Sequence, residues 1–80
     1  MEIKEFIENF ASQFDDTPID EFKGETKFRE LDEWSSLIAL SIIAMVDEEY
    51  DVTLKGDDMR KAETVEELFN IVKSHKDGAA

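Results

Sequence analysis

Two adjacent serines, Ser35 and Ser36, stand directly before a long apolar run. A hydroxyl in that place either caps the following helix, by accepting a backbone N–H from its first turn, or is presented at the helix end. Neither serine has an evident activating partner. The chain contains no cysteine and one histidine, His75, which lies close to the C-terminus and is expected to be solvated and unpartnered. Asp57-Asp58 lacks the regular oxygen-ligand spacing of a calcium loop, and no residue set suggests a metal site. Without a nucleophile and base in a recognisable pattern, an independent enzyme is the class least supported. The remaining chemically suggestive group is Asp47-Glu48-Glu49, whose ordinary meaning in an acidic chain is a solvated helix face.

Helices must position these groups. Residues 3–14 place Ile3, Phe6, Ile7, Phe10, Ala11 and Phe14 at steps of three and four, which predicts a one-sided amphipathic helix. Asp15-Asp16-Thr17-Pro18 breaks it, because proline disfavours helical geometry in the residue before it and donates no N–H. Residues 15–35 show no sustained period. Ile19, Phe22, Phe28, Leu31 and Trp34 are expected to pin this long connection to the core, and its length suggests a hidden helical turn.

Residues 37–50 predict a second helix whose apolar arc exceeds one buried stripe. Ile42, Ile43, Val46 and Tyr50 are assigned inward, leaving Leu37, Leu40 and Ala44 on an outer face with Ser41, Asp47 and Glu48. A helix rotated by one face would instead bury Leu37, Leu40 and Ala44. After a break at 53–56, residues 57–61 predict a short helical turn with Met59 inward. Thr64-Val65-Glu66-Glu67 has the capping-box pattern and opens a last helix, from Val65 to about Ser74. The tail, residues 76–80, is expected to fray. The fold class is therefore all-α, a small four-helix bundle of three main helices and one short one, in a single domain over residues 1–80. Strand-like alternation extends no further than residues 51–54.

Bulk composition narrows the partners. Twenty-one Asp and Glu against nine Lys and Arg give a formal charge of -12. Nucleic acids and anionic membrane surfaces would repel such a chain, whereas proteins with basic docking patches would be steered towards it. No apolar run approaches a membrane span and no basic segment precedes an N-terminal apolar one, so the expectation is a cytoplasmic protein without membrane insertion. A monomer is the simpler expectation.

Around Leu31-Asp32-Glu33-Trp34-Ser35-Ser36-Leu37 the chain resembles the acyl and peptidyl carrier proteins at their Asp-Ser-Leu attachment motif. With Ser36 set on the modified serine, Leu37 to Val65 follows the family pattern without a gap. Val46-Asp47-Glu48-Glu49-Tyr50-Asp51 matches its aliphatic, acidic and aromatic run, Leu54 its aliphatic loop position, and Glu63-Thr64-Val65 the start of its last helix. Phe28 fits an upstream aromatic position. Ser35 stands where the family usually has Asp, and Trp34 where many fatty-acid carriers have a small residue.

The resemblance implies an acyl carrier protein in fatty-acid biosynthesis or a related thioester-templated pathway. Ser36 would bear 4′-phosphopantetheine, taken covalently from coenzyme A by a phosphopantetheinyl transferase that supplies base and metal. Acyl-processing enzymes would read Leu37, Leu40, Ala44, Asp47 and Glu48, and an acyl chain would fold back against Ile42, Ile43 and Val46. The alternative is a carrier-like interaction domain that is never modified, suggested by Ser35 in place of Asp.

Overall fold

In the computed structural model, which describes residues 2–77, the N-terminal apolar steps build α1 (Ile3–Ala11) and bury Phe6, Phe10 and Ala11. The helix stops short of the expected residue 14 because its end tightens. The N–H groups of Gln13 and Phe14 donate to the carbonyls of Phe10 and Ala11, while Ser12 Oγ and Gln13 Nε2 both donate to the Asn9 carbonyl. Phe14 remains buried beyond the helix end.

The connection that follows contains 3-10 turns at Ile19–Glu21 and Phe28–Glu30. Phe22 and Phe28 are buried, and Leu31 and Trp34 pack half-buried against the core. Ile19 does not pin the loop, being 54% exposed. Phe22 fills that side of the core instead, with its ring centroid 4.8 Å from Phe14 and 5.9 Å from Phe10. Phe10 is the hub of the aromatic core, since Phe6, Phe14 and Phe28 also lie 5.4–6.1 Å from its ring.

The apolar run forms α2 (Ser36–Tyr50), closed by Asp51 in the left-handed conformation at φ 57°. Asp tolerates that region better than most residues. Residues 51–54 form no strand, although their alternation does bury Val52 and Leu54. A short α3 (Gly56–Lys61) turns Met59 inward. The capping box then opens α4 (Val65–Asp77) as its spacing predicts: Glu67 N–H donates to Thr64 Oγ1 at 3.1 Å, and Glu67 Oε1 accepts from the N–H groups of Glu63 and Thr64.

Helix α4 runs past the expected end at Ser74. Lys76 and Asp77, assigned to a frayed tail, lie within it, and Lys76 donates from Nζ to the Tyr50 carbonyl at 3.0 Å, satisfying a carbonyl at the α2 C-terminus. The rest of the expected tail, residues 78–80, lies outside the described residues. Packing joins α1 to α2 and α4, α2 to α4, and α3 to α4. The described residues form a small all-α bundle of four helices. Among the described residues there is no strand, only an isolated bridge between Lys27 and Thr64, and no helix is long and apolar enough to cross a membrane.

Candidate functional site

The two serines have separated roles. Ser35 is extended at φ -155°, ψ 170° and is the N-cap of α2; its Oγ accepts the Ile38 N–H at 3.3 Å. Ser36 is the first helical residue and is exposed. Its side chain makes no hydrogen bond among the described residues, so its hydroxyl stands uncommitted where the dipole of α2 is positive.

The segment before Ser35 is held firmly. Trp34 stacks on Phe14 at 6.3 Å and lies 5.0 Å from Phe28. Glu33 ties the start of the long connection to its end: its carboxylate accepts the N–H groups of Asp15, Asp16 and Thr17 and the Thr17 hydroxyl. Partial desolvation pushes its pKa up, but those hydrogen bonds outweigh it and hold the carboxyl below its ordinary 4.5.

Burial along α2 follows the expected rotation. Ile42, Val46 and Tyr50 turn into the core, joined by Met45, while Ile43, also assigned inward, is only half-buried against it. Leu37 and Leu40 are 74% and 62% exposed, and Ala44, Asp47 and Glu48 are exposed along the same face. Ser41 is half-buried. An apolar strip therefore runs from the side of Ser36 to a pair of carboxylates.

Ser36 also stands at the edge of a cleft of ≈ 620 Å³ between α2 and α3. Its apolar wall comes from Ala39, Leu40 and Ile43 on one side and Met59 on the other, with Trp34 beside the serines and Arg29 and Arg60 completing the lining. Of Ile42, Ile43 and Val46, the residues expected to line an acyl pocket, only Ile43 lines this cleft. Ile42 and Val46 are fully buried. The stripe that meets the cleft is Ser36, Ala39, Leu40 and Ile43, which lies about one residue step, roughly 100°, around the helix from the innermost stripe that Ile42 and Val46 occupy.

Periodicity could have pointed to Ala39 through its place on the stripe of Ser36. Nothing in the sequence signals Arg29, Gly56 or Arg60, which reach the cleft only through the fold. Arg60 pairs with Asp57, and its hydrogen bond and charge hold the Asp57 carboxyl below its ordinary 3.8. His75 is not without a partner, since its Nε2 lies 3.7 Å from Asp58, whose carboxylate also accepts the Lys55 N–H. Among the described residues no three His, Asp or Glu side chains are grouped to hold a metal. Comparison with protein-family models, curated proteins and solved structures found no match.

Proposed function

We propose that this chain is an acyl carrier protein, carrying acyl groups as thioesters on a 4′-phosphopantetheine arm attached to Ser36. The observation that carries the reading is the uncommitted, exposed Ser36 hydroxyl at the first position of α2, at the edge of an apolar cleft. The arm supplies the thiol that a chain without cysteine lacks.

The residues around Ser36 fit such a group. Helix α2 has no acidic residue in its first turn, and its leading N–H groups and dipole favour the negative charge of a phosphodiester on Ser36 Oγ. Ser35 keeps that turn in place through its cap. Leu37, Leu40 and Ala44 offer partners an apolar contact beside the modified serine, while Asp47 and Glu48 attract basic patches and orient the encounter. The partners are a phosphopantetheinyl transferase and acyl-processing enzymes, visited in the cytoplasm by a monomer.

An unmodified interaction domain of the same shape is the second reading, favoured by one observation: Ser35 brings no carboxylate to the position before Ser36. Incubation of the unmodified protein with coenzyme A, magnesium and a broad-specificity phosphopantetheinyl transferase separates the two. The expected result is a gain in intact mass of one arm, absent in Ser36→Ala. No gain under conditions that convert a control carrier overturns the carrier reading.

A further inference from the structure

The chain has only two arginines, Arg29 and Arg60, in a sequence of formal charge -12, and both line the cleft beside Ser36. They arrive from different elements, Arg29 from the 3-10 turn Phe28–Glu30 and Arg60 from α3. None of the 21 Asp and Glu residues lines this cleft. The contrast within the molecule is sharp: the cleft over Glu33 is lined by Asp16, Glu21 and Asp32 as well, and the one beside Ala44 by Glu48 and Glu49.

Both guanidinium groups have donors to give. Among the described residues Arg29 makes no ion pair, and Arg60 pairs only with Asp57. That pair is between side chains that are each 74% exposed, so water screens it and a competing oxyanion can displace it. A guanidinium offers a planar fork of donors matched to carboxylate and phosphate oxygens. Between the arginines the wall is apolar, formed by Ala39, Ile43 and Met59. A volume of ≈ 620 Å³ falls within the range of small-molecule sites, about 300–1,000 Å³.

We infer that this cleft is a binding site for a single-chain amphiphile with an oxyanion head, the head held by Arg29 and Arg60 and the chain laid along Ala39, Ile43 and Met59. The site requires no modification of Ser36, so it stands or falls separately from the carrier reading. Phosphate and carboxylate heads share the recognising chemistry, and separate probes tell them apart.

The test titrates the full, unmodified chain, its state checked by intact mass, with octyl phosphate, octanoate, octyl glucoside and octyltrimethylammonium at low salt. Trp34, the only tryptophan, lines the cleft and reports binding by fluorescence; amide NMR shifts locate it. The field of so acidic a protein favours the cationic probe, so tighter binding of an anionic probe requires a local positive site. The expected order places octyl phosphate or octanoate first, with shifts at Ser36, Ala39, Ile43 and Met59. Arg29→Gln/Arg60→Gln should weaken the anionic probe about tenfold, the scale of lost charge-assisted hydrogen bonds. Lys23→Gln/Lys73→Gln removes the same charge at exposed positions outside the cleft and should leave that affinity within about twofold. Preference for the ammonium probe, an arginine variant that binds as the wild type does, equal weakening in the lysine variant, or shifts elsewhere overturns the inference.

Discussion

Ser35 and Ser36 carry the same side chain, and their backbone conformations, extended and helical, separate their work. The extended Ser35 aims its hydroxyl at the Ile38 N–H, while the helical Ser36 turns its own to solvent. Ser35→Ala should therefore lower stability by about 1 kcal/mol in urea unfolding, the usual loss of a serine cap. Ser35→Asp should keep the cap, because a carboxylate accepts the same N–H and favours the positive helix end. Faster loading of Ser35→Asp by a transferase would identify the missing carboxylate as a recognition element. Glu33 gives a pH-dependent test. Its carboxyl titrates below 4.5 in the folded protein, so its stabilising effect is fully present above 4.5 and is lost as pH falls through the lower folded value. Glu33→Gln should melt earlier than wild type at neutral pH, and the difference should shrink with acidification below 4.5. A difference that is constant with pH would remove the ionised carboxylate from the explanation.

Helix α2 faces two ways, and its two faces predict different phenotypes. Leu37→Ser and Leu40→Ser alter residues that are largely exposed, so stability should stay within about 0.5 kcal/mol of wild type, while transferase loading slows if the strip is read. Gly56 opens α3 with a negative φ and open space where a Cβ would stand. Gly56→Ala should raise stability by about 0.4–1 kcal/mol through the unfolded chain's entropy, measured by urea midpoint. The rotation of α2 was legible because its apolar arc was too wide for one stripe and its acids lay on one side. The capping box was legible because Thr64 and Glu67 act over a fixed short spacing. What escaped depends on distant contacts. The end of α1 is set by Asn9, Ser12 and Gln13 hydrogen bonds that periodicity does not register. Helix α4 extends where Lys76 meets Tyr50, and His75 meets Asp58 only because α3 packs on α4. Arg29 and Arg60 converge for the same reason, so half of the cleft's chemistry had no local sign.

Across the whole molecule, charge acts on folding and on encounter in opposite directions. The formal charge is -12, and among the described residues no charged side chain is buried and Arg60 with Asp57 is the only lysine or arginine ion pair. The carboxylates therefore repel one another across a body measuring 37 × 23 × 21 Å, and this self-repulsion weakens the compact state. Salt shortens the reach of such forces to about 10 Å at 0.1 M, less than the shortest dimension of the protein. Added sodium chloride should raise Tm. If the proposed carrier function holds, the same screening would weaken the steering of basic partners towards Asp47 and Glu48, so the rate of transferase loading should fall over the salt range in which Tm rises. Asp47→Lys/Glu48→Lys relieves the repulsion locally and reverses the attraction, and both positions are exposed, so the fold tolerates it. The double variant should melt higher than wild type at low salt, load more slowly, and show a flatter dependence on salt in both measurements. Loading that keeps its full rate and salt dependence in the double variant would place the docking charges elsewhere on the surface.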